Sequence, residues 1–361
     1  MVVKVAVIGI GDVANRAHLP AWKKNSEAHI VALCDTNQER VASMAEQWKI
    51  PKYYTQFAEL LDREKPTVVD ICTPPASHLP LTIQAMEHGC HVLLEKPMAM
   101  SIRESEEIVK AYAERKAEGI KLCVIHSLLY ESLIPKLRSV VERSIGDILG
   151  VEINLIDTPN DSMISNPDHW CHNLPGGRFG ECLIHPIYLL QDILGPLQIE
   201  SLWVTKTGPY PWVPYDELHV TLSSGERFGS IYASFNCPRA SFPSITIYGK
   251  KSILRYEGSN CSLQSLSHLS SGALNAGFDN INQVSKLLKS TAENFLRVIS
   301  GRLKTGHEVI FRLFIDSINN NKELPLPLTP EEAYQANRTY LQVLEKLEAT
   351  KNKNSAEAKH Y

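Results

Sequence analysis

The chain has 361 residues, 43% of them hydrophobic and 21% charged, with a net charge of −3. At roughly 150 residues per domain this leaves room for two domains of ordinary globular composition. The near-neutral balance excludes the basic field that nucleic acid needs, and no charge run marks a partner-binding tail. The eight cysteines include no C-x-x-C pair, and several sit in apolar runs, as reduced thiols of a cytoplasmic protein do. The apolar run in "MVVKVAVIGIGD" is too short for a signal peptide, and none approaches the ~20 residues of a membrane span.

In chain order, "VVKVAVI" (2–8) is short, apolar and β-branched and predicts a buried strand. "GIGDVA" follows and opens a helix to about Lys24. "AHIVALCD" (28–35) is a second strand, and residues 37–48 have helical spacing with Val41, Met44, Ala45 and Trp48 on one face. A weak strand is expected near Lys52–Tyr54. Strands at 67–73, 91–96 and 121–126 alternate with helices at 79–88 and 101–117. Such alternation predicts a doubly wound parallel sheet.

The pattern changes after about residue 127. A helix is expected at 131–143. Strands follow at 150–157, 199–206, 216–222, 227–235, 243–249 and 252–256, several joined by tight turns. This half predicts an α+β domain with a large, mostly antiparallel open sheet. Residues 157–180 read as a long polar loop, 280–300 and 330–348 as amphipathic helices, and the polar tail as a fraying end. The expected domains are 1–126, 127–350 with its last helix able to pack back on the first domain, and a tail 351–361.

"GIGDVA" places Gly9, Ile10, Gly11, Asp12 and Val13 between the first strand and a helix, with the small Ala14 at the third fingerprint position. Gly9 permits a tight turn, Gly11 lets the backbone approach a pyrophosphate, and the helix start offers N–H groups to it. Asp35 ends the second strand where a carboxylate accepts the ribose hydroxyls of NAD, with Thr36 beside it. No Arg or Lys immediately follows Asp35, which favours NAD; Arg40 keeps NADP open.

Ligands of open parallel sheets bind beyond the carboxyl ends of the strands. Thr73, Pro74, Pro75 and His78 of "TPPASH" lie at one such end, and Glu95 and Lys96 of "LLEKP" at the next. Pro97 biases Lys96 away from α geometry and so restricts where the ammonium points. The bland alternative is a surface ion pair.

"GIGDVA", Asp35, "TPPASH" and "EKP", in that order and spacing, resemble the glucose–fructose oxidoreductase/inositol dehydrogenase (Gfo/Idh/MocA) family. The resemblance extends through "GDILGVEI", "YGKKSIL" and "LTPEEAYQANRTYLQVLEKL". It implies that Lys96 lies beside the nicotinamide and hydrogen-bonds the reacting hydroxyl of a sugar or polyol.

In "PGGRFGECLIHPIYLLQDILG" (175–195), Glu181 and His185 are four apart and share a helix face. Oxidising a carbinol by hydride transfer needs a base for the hydroxyl proton; His185 suits that task and Glu181 could orient it. The family usually has an aspartate where Glu181 stands and often another where Tyr188 stands. A buried structural histidine is the competing reading. "DHWCH" (168–172) invites a metal reading, but no second cluster has zinc-finger spacing and no metal is expected. Trp170, His172, Arg178 and His126 are candidate substrate contacts, and His18 reads as structural.

These features predict an NAD(P)-dependent oxidoreductase acting on a sugar, polyol or derivative, forming a homodimer or homotetramer through its open sheet. The rivals are a redox-neutral glycosidase or lyase that returns its hydride, and a non-catalytic NAD-binding sensor.

Overall fold

The computed structural model describes residues 2–131, 133–267, 273–300 and 304–357. The chain divides into two compact units, one of residues 1–130 with 304–338, the other of 131–303 with 339–361.

The first unit is built on six strands: β1 (Val3–Ile8), β2 (Ala28–Cys34), β3 (Tyr53–Tyr54), β4 (Val68–Ile71), β5 (His91–Leu94) and β6 (Leu122–Val124). Their order is β3-β2-β1-β4-β5-β6, and every pairing is parallel. Strand alternation sorts the core into two layers. Val5, Val7 and Leu93 pack on one face with Trp22, Phe311 and Phe314. Ala6, Ile8, Val92 and Leu94 pack on the other with Leu60, Met86 and Ile108. Apolar helical residues thus cover both faces, which is the doubly wound fold expected.

Two helices of this unit lie outside the sequence-based expectations. Phe57–Glu64 supplies Leu60 and Leu61 to the core. Gly306–Asn319 supplies Ile310, Phe311, Phe314 and Ile315. The expected first helix is a π-turn at Ala14–His18 running into α-helix at Leu19–Lys24.

The second unit holds β7 (Ile148–Ile156), β8 (Gln198–Thr205), β9 (Glu217–Ser224), β10 (Arg227–Ser234), β11 (Ser241–Gly249), β12 (Ser252–Glu257) and β13 (Ser262–Ser267). They form one sheet of order β13-β12-β11-β7-β10-β9-β8. Only β7 and β10 pair in parallel, so the sheet is mixed and mostly antiparallel, as expected. Helix Ile184–Leu194 packs on β7 and β10. The opposite face carries exposed Trp203, His219 and Tyr232, adjacent in register.

The loop expected over 157–180 instead contains helix Ser162–Ser165, a 3-10 turn at Trp170–Asn173 and helix Arg178–Cys182. Asp161 caps the first of these, its carboxylate accepting from Met163 N. The last helix runs from Pro330 to Glu357, into the tail expected to fray; residues 358–361 lie outside the described residues. No described helix is long and apolar enough to cross a membrane.

Candidate functional site

The predicted nucleotide-binding residues gather at the carboxyl edge of the first sheet. Gly9 has φ +85°, and a Cβ there would lie 2.6 Å from Thr73 Cγ2. The loops after β1 and β4 therefore touch backbone to backbone, which only glycine allows. A Cβ on Gly11 would meet nothing within 4 Å, so this turn leaves open space where a pyrophosphate approaches. Ala14 is fully buried. Ile10 N donates to Asp35 Oδ2 at 2.8 Å, and Asn37 N donates to Asp35 Oδ1 at 2.8 Å. Asp35 is thereby fixed beside the glycine turn, with the Arg40 guanidinium 3.7 Å away. These residues fit a dinucleotide.

His78 occupies the gap between the next two loops. Its Nδ1 lies 2.9 Å from Pro97 O and its Nε2 2.9 Å from Thr73 O. Both partners are carbonyl oxygens, which only accept, so a neutral ring donates to one of the two loops at a time; burial lowers the pKa of the ring against these hydrogen bonds.

Glu95 leaves β5 into a buried ionic cluster. Its Oε1 lies 2.9 Å from His18 Nε2 and 3.5 Å from His307 Nε2. Its Oε2 accepts from Lys96 N at 2.9 Å. On the far side of the imidazole, His18 Nδ1 lies 2.9 and 3.0 Å from the two Asp70 oxygens. Trp22 Nε1, one helical turn beyond His18, donates to Asp70 Oδ2 at 2.6 Å. Burial disfavours a charged His18, but Asp70 and Cys72 outweigh it and hold its pKa well above the usual value. Burial would likewise raise the Glu95 carboxyl, but hydrogen bonds from His18 and His307 hold it well below the usual carboxylate range. The result is an imidazolium bridging two carboxylates.

The peptide bond after Lys96 is cis. Beyond it, Asn337 accepts from Met98 N at 3.1 Å and donates to Ala99 O at 3.2 Å and Ser105 Oγ at 2.9 Å. His126 follows β6 and is buried; desolvation pushes its pKa down to about 3, against the opposing charge of Glu95.

In the second unit, Arg178 is a hub. It pairs with Glu181, lies 3.3 Å from Asp157 Oδ2 and 3.5 Å from Asp161 Oδ2, and stacks over Phe235. His185 Nδ1 lies 2.8 Å from the Tyr188 hydroxyl. Thus the tyrosine at the position where an aspartate was usual supplies the histidine with a polar partner. Trp170 is 52% exposed, and His172 Nε2 lies 3.0 Å from Asn166 O. In "DHWCH", Cys171 is buried with its thiol donating to Met163 O. Among the described residues, donor sets with metal-like spacing are instead His18, Asp70 and Cys72, and His18, Glu95 and His307. Both share His18, whose ring nitrogens already serve two carboxylates.

The model of an oxidoreductase family with an NAD-binding Rossmann fold matches residues 3–120, and that family's C-terminal alpha/beta domain matches residues 138–351. The chain belongs to the Gfo/Idh/MocA oxidoreductase family. Its first domain is the family's NAD-binding Rossmann fold. An oxidoreductase of Formosa agariphila is 27% identical over 53% of this chain and 60% of its own length. The D-glucoside 3-dehydrogenase of Escherichia coli is 33% identical over 29% of this chain and 30% of its own length. The chain thus matches less than two thirds of the length of these curated relatives. Among solved structures, the WlbA dehydrogenase of Bordetella pertussis, in complex with NADH and UDP-GlcNAcA, superposes with a TM-score of 0.75. That pair is 19% identical and covers 96% of this chain and 97% of the other, a likeness of fold.

The cluster around His18 and the Asn337 clamp escaped sequence reasoning. The two carboxylates of His18 come from 52 and 77 residues away, and Asn337 from 239 residues beyond Met98. No local spacing announces such contacts.

Proposed function

We propose that this protein is an NAD-dependent dehydrogenase or reductase that moves a hydride between the nicotinamide and a carbinol or carbonyl of a sugar, polyol or sugar derivative. The observation that carries the reading is the anchoring of Lys96: its own N–H is held by Glu95, and Glu95 is locked by the buried His18 imidazolium. A lysine set on so rigid a backbone at the edge of a dinucleotide fold suits electrostatic work on a substrate oxygen. The sugar-dehydrogenase names of its relatives support the substrate class.

When bound, NAD supplies the hydride acceptor. Lys96 donates a hydrogen bond to the reacting hydroxyl and stabilises the charge that develops on it. His185 takes the hydroxyl proton. The Tyr188 hydroxyl, 2.8 Å from Nδ1, orients the imidazole for that transfer. Glu181, salt-bridged to Arg178, stands on the short helix Arg178–Cys182 and not on the helix of His185, and from there supports the imidazolium formed. Asp35 favours NAD over NADP, since its carboxylate repels a 2′-phosphate. Trp170, His172 and Arg178 belong to the substrate side. The exposed Trp203, His219 and Tyr232 face serves self-association.

The test is a screen of sugars, polyols and sugar acids with NAD and NADP separately, following reduced cofactor by its absorbance. Sustained NADH formation with one class of substrate is the expected result. Substrate conversion without net NADH would favour a redox-neutral enzyme, and nucleotide binding without any turnover a sensor.

A further inference from the structure

Helix Ala273–Ile299 has its polarity inverted. Among the described side chains, the half-buried positions of its central and C-terminal turns are Gln283, Ser290, Glu293 and Asn294. This polar side rests along β13, and Asn294 Nδ2 donates to Cys261 O at 2.7 Å. The apolar side faces solvent: Phe278 is 70% exposed, Leu288 67%, Phe295 64% and Ile299 68%. At about 100° per residue, Ile281, Val284, Leu288, Phe295 and Ile299 fall within roughly 60° of arc, centred roughly 130° from Gln283, Ser290 and Asn294. A surface helix normally turns this stripe inward.

We infer that this helix is a self-association surface, pairing through its apolar stripe with the same helix of a second copy of the chain. Three observations favour that occupant. Among the described side chains of this helix, eight large apolar ones are exposed. At on the order of 100 Å² each, they exceed the ~300–600 Å² of the largest patches on monomers and match the ~800 Å² that each partner contributes to a standard interface. Ile281, Leu288 and Phe295 recur every seven residues, the repeat of paired helices, and a patch of one composition is self-complementary about a twofold axis. Finally, the segment 273–299 carries three basic and two acidic residues on a chain of net charge −3, which lacks the basic face that draws a helix to anionic lipid. This surface is separate from the exposed sheet face and independent of the catalytic reading.

The test is the mass of the full-length protein by sedimentation at 1–50 µM, for wild type and for the double variant Ile281→Glu/Leu288→Glu. The expected result is that the variant has half the wild-type mass while its circular dichroism and NADH affinity stay unchanged. Equal masses, or a monomeric wild type, overturn the inference. So does co-sedimentation of wild type with phosphatidylcholine/phosphatidylglycerol vesicles at an unchanged protein mass, which would assign the helix to lipid. Should the double variant misfold, oxidative cross-linking of single Ile281→Cys, Val284→Cys and Leu288→Cys proteins decides. A covalent dimer at one of these positions, absent from wild type, supports the pairing, and none at any of them overturns it.

Discussion

His18 Nε2 sits 2.9 Å from Glu95 Oε1, while the opposite nitrogen of the same ring sits 2.9 Å from Asp70 Oδ2. One buried imidazolium thus joins the π-turn after β1 to the ends of β4 and β5. Removing a partner of a buried ion pair leaves a charge without compensation, at a cost of about 3–5 kcal/mol. His18→Ala should lower stability by about that much in urea titrations. A loss under 1 kcal/mol would show that the cluster relaxes to admit water.

The same cluster sets a pH dependence. The folded pKa of His18 is raised, so its stabilisation is complete below its unfolded value of about 6.5 and declines as pH rises toward the folded value. The folded pKa of Glu95 is depressed, so its stabilisation is complete above about 4.3 and declines as pH falls. Stability measured from pH 6.5 to 9 should therefore fall more steeply in wild type than in His18→Gln. Parallel slopes would place the proton elsewhere.

The two glycines of the first loop should separate. Gly9→Ala forces a Cβ to 2.6 Å from Thr73 Cγ2 at φ +85° and should cost about 1–3 kcal/mol or prevent folding. Gly11→Ala meets open space, so its stability should change by under about 0.5 kcal/mol while NADH affinity drops about tenfold or more by calorimetry. Equal effects from the two would argue against a nucleotide over Gly11.

The role proposed for Asp35 is the choice of cofactor. Asp35→Asn removes the charge that repels a 2′-phosphate, and the NAD/NADP affinity ratio should fall by about tenfold, or 1.4 kcal/mol. An unchanged ratio would hand discrimination to Arg40.

The strands of the first sheet were legible because burial on both faces demands short β-branched runs such as "VVKVAVI". The turn at Gly9 and the carboxylate at Asp35 were legible because their spacing is local. Helix Phe57–Glu64 was not, since "FAELLDRE" is brief and half charged. Helix Gly306–Asn319 was not, although its apolar residues enter the first unit's core from the far end of the chain. At the site, Lys96 was visible through "EKP", whereas what holds it was hidden in contacts of long sequence separation. The Tyr188 partner of His185 was within three residues, but the direction of side chains in a helix had to be seen.

The chemistry itself is tested most directly by single-turnover NADH formation with the best substrate of the screen, in Lys96→Ala and His185→Ala. Each should slow hydride transfer about 10²–10⁴-fold while NADH affinity stays within about threefold of wild type. Hydride transfer at the wild-type rate in either variant would contradict the assignment of that residue to the reacting hydroxyl.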